Sequence, residues 1–319
     1  MASQTVPSSA TEQKMKRPRR RNAAGGRPGE TLAAYLFLTP YLIVLGVFTV
    51  FVALYGIGLS LFKIDIGFTA PEFIGLRNYI ALFNQLSYAS DSDFWISIVN
   101  ILKFTVVVVI GETIIALLMA LLLQAIHARV RGIFRTILYL PSVTSSVAIA
   151  LIFLWFYNPQ GVINYLLSLV GIPGPHWLED PNFALPALML LNIWTTAATF
   201  MLYFLAAIQD LPKDLYEAAQ VDGANRWHLF SDITIPLLRP AIFLVVALGT
   251  IGAFQMFDQA KFMTDGGPLR STLTPLLEIY NAAFRDNHFG LAAAMSVILF
   301  ILIFIVTIVQ RRLIDVSYQ

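Results

Sequence analysis

The chain has 319 residues, of which 57% are hydrophobic and 13% charged, and its mean hydropathy is +0.72. Soluble globular domains carry about 25% charged residues, so a surface this poor in charge indicates that the solvent is a lipid bilayer. The absence of cysteine excludes disulfides, thiolate metal sites and thiol nucleophiles, and the four histidines show no metal-ligand spacing.

Six stretches are long and apolar enough, or nearly so, to cross the bilayer core, which takes about 20 residues. In chain order they are 32–62, 95–126, 133–157, 183–208, the short 240–257, and 289–310. The first is about twice as long as the apolar region of a signal peptide, so we expect it to be retained. The sequence therefore predicts an all-α polytopic membrane protein, with six transmembrane helices in residues 31–319.

The distribution of lysine and arginine predicts the orientation of these spans. Six spans place both termini on one side, and that side receives fifteen of the 21 basic residues; five lie in the opposite loops, and Lys103 lies within a span. We therefore expect both termini to be cytoplasmic. Residues 1–30, rich in Pro, Gly and Arg, predict a disordered basic tail that suits anionic headgroups better than nucleic acid.

The loop at about 209–239, between the fourth and fifth predicted spans, carries strong local helix signals. Pro212 suits the first turn of a helix over 213–221, and Gly223 is a natural stop. A second short helix is predicted over 225–232, before the prolines that lead into the fifth span. The expected product is a stiff helix–glycine–helix unit on the cytoplasmic side.

Small and acidic residues make this unit suitable for docking on a soluble protein. Ala218 and Ala219 would let another backbone approach closely, and Glu217 and Asp222 could accept hydrogen bonds or ion pairs. From the residues alone, docking is no better supported than a folded loop without a partner.

The segment EAAQVDGANRWHLFSDITIP resembles the signature loop of the permease subunits of binding-protein-dependent ABC importers. The matching residues are Glu217, Ala218, Ala219, Asp222, Gly223, Ala224, Phe230, Ile233 and Pro236. Three further segments, FIGLRNYIALF at 73–83, MTDGGP at 263–268 and residues 271–300, resemble the carbohydrate-importing branch. The similarity runs from about residue 33 to the C-terminus and is greatest to the larger, maltose-importer-type permease, without its extra N-terminal spans and large external insert.

The resemblance implies a transport subunit, not an enzyme, in an ATP-driven importer of a sugar or related polyol in a bacterial-type cytoplasmic membrane. The implied partners are a second, homologous permease that completes the pathway, two copies of a cytoplasmic ATPase, and an extracellular or periplasmic solute-binding protein. It also implies that six loop residues couple to the ATPase: Glu217, Ala218, Ala219, Asp222, Gly223 and Ala224. No cofactor or metal is expected on this chain. It lacks a GxxxxGK[ST] phosphate loop, so ATP and Mg²⁺ are expected on the partner ATPase.

Polar residues within the spans are candidates for a substrate pathway, since they should face the bundle interior or a wet cavity. On the fourth span they follow helical spacing, and on the fifth they cluster near its outer end. The candidates are Asn192, Thr195, Thr196, Thr199 and Tyr203 on the fourth, and Gln255, Asp258 and Gln259 on the fifth. Helix packing and simple solvation are equally open for these clusters. Trp155 and Tyr157 fit an interfacial aromatic belt better than a pathway.

Glu112 lies in mid-span, where an ionised carboxylate costs roughly 2.5–3.5 kcal/mol. Lys103 is nine residues away, about 13.5 Å along a helix, so we expect a partner on another helix. An ion-coupled secondary transporter using Glu112 and Asp258 is the alternative function, although the sequence shows no internal repeat. A membrane enzyme using His176 and Glu179 is a second alternative, but this pair lacks a nucleophile motif.

Overall fold

The computed structural model describes residues 28–64, 71–84 and 93–314. Residues 1–27 of the predicted tail lie outside the described residues, and 28–30 are helical. The chain divides into two units, Met1–Leu54 and Tyr55–Gln319, and each is described by itself.

The first unit consists, in its described part, of apolar helix. Helix α1 (Pro28–Leu45) is followed by a π-helical turn (Gly46–Phe51) and by α2 (Val52–Leu59), within which the second unit begins. In α1 the hydroxyl of Thr39 donates to the carbonyl oxygen of Tyr35 at 2.7 Å, so this polar group is satisfied within its own helix. The stretch Leu32–Leu59 is long and apolar enough to cross a membrane, as predicted for the first span.

The second unit is almost entirely helical in its described residues. Its helices are α3 (Arg77–Asn84), α4 (Phe94–Ala125), α5 (Ala128–Tyr139), α6 (Ser146–Phe156), α7 (Val162–Leu169), α8 (Pro181–Gln209), α9 (Lys213–Val221), α10 (Arg226–His228), α11 (Ile235–Leu237), α12 (Arg239–Phe254), α13 (Pro275–Tyr280) and α14 (Phe289–Leu313). Shorter turns are the 3₁₀ turn Leu140–Val143 and the π-helical turns Leu229–Thr234, Ala260–Thr264 and Asn281–Arg285. A two-residue antiparallel ribbon, β1 (Phe62–Lys63) with β2 (Glu72–Phe73), is the one departure from the all-α prediction in the described residues.

The predicted spans appear as four continuous helices and two bent pairs. Leu32–Leu59, Phe94–Ala125, Pro181–Gln209 and Phe289–Leu313 each suffice to cross a membrane. The other two predicted spans are broken, and the described residues give six spans only if each bent pair counts as one. The helical membrane protein is confirmed, but the third and fifth spans are not single straight helices.

The third predicted span bends by 95° between α5 and α6. Pro141 lies in the 3₁₀ turn that follows α5, and Thr144 and Ser145 then adopt extended backbone with ψ of 146° and 130°. Proline cannot donate the backbone hydrogen bond of a continuing helix, so α5 ends and the break falls in the turn that contains Pro141.

The fifth predicted span bends by 63° where α11 meets α12. Pro236 lies within α11 and Pro240 is near the start of α12, on either side of the buried Leu238. Because proline is tolerated in a first helical turn, α12 restarts beside the break. Helix α12 has only 16 residues, which accounts for the short apolar run predicted for the fifth span.

The core of the second unit lies between α4, α8, α12 and α14. Helix α4 packs along α8 and also contacts α12, which in turn contacts α14. The largest fully buried side chains on these four helices include Phe104, Leu188, Phe204, Phe254 and Met295.

Small residues bring α4 and α8 close together. Ala116 and Ala120, one turn apart on α4, have no exposed surface. At Gly111 the approach is closer still, because a Cβ there would lie 2.7 Å from Cδ1 of Ile193 on α8. Small residues spaced in this way allow close van der Waals packing of helices in lipid.

Side-chain amides tie the loops to the helix ends. Asn78 on α3 donates from Nδ2 to the carbonyl oxygens of Ser60 (2.8 Å) and Phe62 (3.0 Å). Asn100 on α4 donates to the carbonyl oxygens of Arg270 (2.8 Å) and Leu273 (3.1 Å). Each amide satisfies two backbone acceptors of a non-helical segment, which would otherwise be costly to bury.

Gly290, at the start of α14, should not tolerate alanine. A Cβ at this position would overlap the carbonyl oxygen of Phe62, which is held by Asn78 and cannot move alone. We expect Gly290→Ala to lower the stability of the purified chain by about 1–3 kcal/mol, the usual cost of overpacking. Gly252→Ala is the matched control, because nothing lies within 4 Å of a Cβ there. Equal melting temperatures for the two variants in detergent would contradict the close approach of α14 to β1.

Candidate coupling and transport sites

The six residues predicted to couple to an ATPase lie together on α9 and the turn that ends it. The helix covers the predicted residues 213–221 and stops at Gly223, whose φ is +83°. There the amide of Gly223 donates to the carbonyl of Gln220 at 3.1 Å, and the amide of Ala224 donates to that of Ala219 at 2.9 Å. These two bonds form a Schellman motif, which glycine favours because its φ is positive.

The second short helix predicted over 225–232 is present as α10 and the π-helical turn after it. Asn225 caps it by accepting a hydrogen bond from the amide of His228 at 2.9 Å. The loop is also tied to itself, since the hydroxyl oxygens of Tyr216 on α9 and Thr234 are 2.9 Å apart. Thr234 is buried and donates to the carbonyl of Leu229 at 3.0 Å. The loop is thus a compact unit braced between α9 and the approach to α12.

The outer surface of this unit combines apolar and acidic side chains. Val221 and Trp227 are 88% and 69% exposed. Glu217 and Asp222 are exposed as well, and within the described part of the chain their carboxylates have no ion-pair or hydrogen-bond partner. A rigid element that presents unpaired acids beside exposed apolar groups is suited to contact another protein.

The polar stripe on α8 is confirmed as one helical face. Asn192, Thr195 and Thr199 are partly buried, and Tyr203 is exposed. The hydroxyl of Thr195 donates to the carbonyl of Asn192 at 3.0 Å, and that of Thr196 donates to Asn192 Oδ1 at 3.4 Å. Thr195 and Thr196 therefore satisfy their hydroxyl donors within α8, and the lining of a pathway by the stripe stays a prediction.

The second polar cluster follows the end of α12. Gln255 is the exposed C-cap residue, and Asp258 is partly buried. Asp258 accepts a hydrogen bond from the hydroxyl of Ser146, the first residue of α6. This pair could not be predicted from the sequence, because its members are 112 residues apart. In the described residues no hydrogen bond joins this cluster to the α8 stripe.

Glu112 does not have the partner that we expected on another helix. It is 1% exposed, and neither carboxylate oxygen has a hydrogen-bond partner within the described residues. The carboxyl group lies where α4 meets α12, and a Cβ at Gly249 would overlap it. Glycine on α12 is thus what leaves room for Glu112 in the helix interface.

A cleft of about 800 Å³ lies where α6 ends, lined by residues that the sequence had left in separate segments. Trp155 and Tyr157 come from the end of α6, and His176, Trp177 and Glu179 come from the segment before α8. Tyr157 is 3% exposed, and its hydroxyl donates to the carbonyl of Ala187 at 2.8 Å. Tyr157 therefore does not belong to a belt of headgroup-facing rings.

An ion cluster shapes the loop that carries the sequence MTDGGP. Asp265, whose φ is +46°, accepts from Lys261 Nζ at 2.8 Å and from Arg285 Nη2 at 2.9 Å. The hydrogen bond from Lys261, followed by that from Arg285, lowers the pKa of Asp265 below its ordinary 3.8. The cluster holds the strained turn against the segment after α13.

The chain matches a known family over most of its second unit. Residues 112–315 match the family described as the binding-protein-dependent transport system inner membrane component. The chain belongs to this family. It is therefore a membrane transport component, and the predicted resemblance to importer permeases is confirmed.

Relatives and solved structures agree with this assignment. The lactose transport system permease LacF of Rhizobium radiobacter is 34% identical over 281 residues, which cover 86% of this chain and 92% of LacF. The trehalose/maltose permease MalF of Thermococcus litoralis is 33% identical over 285 residues, covering 89% and 94%. A bacterial alginate ABC transporter, solved with an alginate pentasaccharide-bound periplasmic protein, shares the fold with a TM-score of 0.74 at 23% identity, covering 91% and 98%.

These comparisons decide between the functions left open by the sequence. The family and the named relatives are transport components, which favours a transport subunit over a membrane enzyme. They favour an ABC importer permease over an ion-coupled secondary transporter. They do not bear on individual site residues.

Removing the two strongest pathway candidates should reduce transport without unfolding the chain. We expect Asn192→Leu and Asp258→Leu each to lower uptake about tenfold, because losing a polar contact to a solute costs roughly 1–3 kcal/mol. Membrane abundance should stay unchanged, and Thr307→Val, which loses only a bond to its own helix, serves as the control. Normal uptake by both leucine variants would remove the two clusters from the pathway.

The Asp265 cluster should give a pH-dependent contribution to stability. A carboxyl group whose pKa is lowered by folding stabilises the fold above its unfolded pKa, and this contribution is lost as the pH falls through the folded value. We expect Asp265→Asn to lower the melting temperature slightly at pH 7, since exposed ion pairs contribute about 0.2–1 kcal/mol. The difference from the unmodified chain should shrink below pH 3.8, the ordinary pKa.

Asp210→Asn is the matched control for this titration, because it removes one negative charge at an exposed helix end. It should leave the melting temperature close to that of the unmodified chain throughout. A difference for Asp265→Asn that is independent of pH would contradict the ionic origin of the effect.

Proposed function

We propose that the chain is one of the two permease subunits of an ATP-driven importer that takes up a sugar or a related polyol. The named relatives transport lactose and trehalose or maltose, and the structural neighbour imports alginate. A shared carbohydrate chemistry among these proteins supports the substrate class. The scarcity of basic residues within the spans fits a neutral solute better than an anion.

The observation that carries the proposal is the braced surface of α9. Glu217 and Asp222 are unpaired in the described residues, and Val221 lies exposed between them. The Schellman stop at Gly223 fixes the end of the helix, and the contact between Tyr216 and Thr234 fixes its side. A rigid docking element loses little conformational entropy when a partner binds. We assign this surface to a cytoplasmic ATPase subunit, which binds the ATP and Mg²⁺.

The complete transporter in this proposal contains four further chains. A second, homologous permease completes the pathway, two copies of the ATPase supply energy, and a solute-binding protein delivers the substrate outside. Both termini of the present chain face the cytoplasm, in accord with its excess of lysine and arginine on that side. The pathway candidates are the α8 stripe and the Gln255 and Asp258 cluster.

A proline at the end of α9 should uncouple the proposed ATPase. Proline fixes φ near −65° and lacks the amide proton, so Gly223→Pro removes both the φ of +83° and the bond to Gln220. We expect the variant to lose ATP-dependent uptake in vesicles and to lose the ATPase on purification.

Because the chain has no cysteine, Ala218→Cys should also form a cross-link to the ATPase, whereas Ser168→Cys on α7 should not.

Gly171→Pro provides the matched control. Gly171 ends α7 with a φ of +76°, and its amide and that of Ile172 donate to Ser168 and Leu167, as in the turn after α9. This variant should keep the ATPase bound. Uptake driven by an ion gradient in the absence of ATP, or cross-links from Ala218→Cys that never reach an ATPase, would overturn the proposal.

A further inference from the structure

The cleft at the end of α6 has the size and chemistry of a ligand site. Its volume of about 800 Å³ lies within the range of roughly 300–1,000 Å³ that is typical for small-molecule pockets. Two indole rings, an imidazole and a carboxylate line it, namely those of Trp155, Trp177, His176 and Glu179. The opposite wall comes from the 263–268 segment, including Thr264 and Pro268.

One wall of the cleft is fixed before any ligand binds. Trp177 Nε1 donates to Asn164 Oδ1 at 2.7 Å, and its ring lies 5.6 Å from Tyr157 and 6.0 Å from Phe183, centroid to centroid. Asn164 is buried, and its Nδ2 donates to the carbonyl oxygen of Pro175 at 3.1 Å. These contacts hold the indole of Trp177 in place, so a ligand would meet an ordered surface.

The other indole is free to contact a ligand. Trp155 is 78% exposed and, among the described residues, makes no hydrogen bond or ring contact. An indole face offers a large apolar surface at a low cost in side-chain entropy. Tyr157, two residues later, is buried instead, so of the two rings only that of Trp155 offers a free face to the cleft.

Polar groups stand beside the rings. His176 Nδ1 lies 2.9 Å from Glu179 Oε2, and both side chains are more than half exposed. Asn158 also lines the cleft, and its Oδ1 accepts from the amide of Gln160 at 3.0 Å, which leaves the Nδ2 donors available. Exposed aromatic faces next to hydrogen-bonding groups match a sugar, which has C–H faces and a rim of hydroxyl groups.

We propose that this cleft is a carbohydrate-binding site on the outer face of the protein, with Trp155 stacking on a sugar ring and His176, Glu179 and Asn158 bonding its hydroxyl groups. The inference rests on the proposed function, which supplies a saccharide and turns the end of α6 outward. The site is separate from the polar clusters on α8 and after α12, and it would receive the sugar before those clusters do.

Tryptophan fluorescence of the full chain in lipid nanodiscs tests the proposal directly. Lactose, maltose and trehalose are the probes, each titrated to saturation. We expect at least one of them to change the emission in a saturable way. Trp155→Ala should weaken that binding about tenfold, equivalent to ~1.4 kcal/mol, and Trp155→Phe should restore part of it. Tyr165→Ala, which removes an exposed aromatic ring on α7 that does not line the cleft, should bind as the unmodified chain does.

The proposal would be overturned if none of the three sugars gave a saturable response, or if Trp155→Ala bound a sugar as tightly as the unmodified chain does. It would also be overturned if no sugar gave a response and Trp155→Ala lost binding to the solute-binding protein. The last result would make the cleft a protein-docking surface. A failed titration with intact ATP-dependent uptake rejects only the cleft. Absence of ATP-dependent uptake by the complete transporter that contains the unmodified chain rejects the proposed function itself.

Discussion

Close packing of α4 against α8 and α12 is the constraint on which the second unit depends. In lipid the hydrophobic effect does not drive helices together, so contact must come from van der Waals fit between backbones that approach closely. Gly111 on α4 allows this approach against Ile193 of α8, and Gly249 on α12 allows it against Glu112 of α4. Ala116 and Ala120 continue it along α4. The bent helices and loops are arranged around this rigid centre.

Polar side chains of the helix bundle occupy two kinds of place: some bond the loops at its ends, and others are buried between its helices. Asn78 and Asn100 each donate to two carbonyl oxygens of non-helical segments, so these backbone acceptors at the ends of the bundle have hydrogen-bond partners. Glu112 is different, because it is buried at the centre with both oxygens unpartnered in the described residues. Burying an unpartnered carboxyl group costs free energy, and yet a glycine on the facing helix leaves space for this one. Simple helix packing does not explain why Glu112 lies at this position.

Local signals in the sequence predicted the helices of the 209–239 loop well and the bends of the third and fifth spans poorly. Helix α9 has the predicted limits because Pro212 and Gly223 set its ends through their own backbone chemistry. Pro141 lies at the break in the third span, but a proline does not set an angle of 95°, which depends on what packs beyond it. The hydrogen bond between Ser146 and Asp258 and the aromatic cleft could not be predicted from the sequence for another reason. Their members come from distant segments that only the fold brings together.

The same contacts suggest how force applied to α9 would travel into the membrane. The Schellman turn keeps α9 from fraying, and the contact between Tyr216 and Thr234 passes its displacement to the segment before α12. Pro236 and Pro240 lie at the 63° bend between that segment and α12, so the route passes through a proline break. Beyond the bend, Gly249 of α12 packs directly against Glu112 of α4, with no room for a larger side chain. A push on the loop would therefore reach α12 through this bend, and α12 could move against α4 only as a packed unit. Such a movement would change the space between packed helices while each helix stays folded.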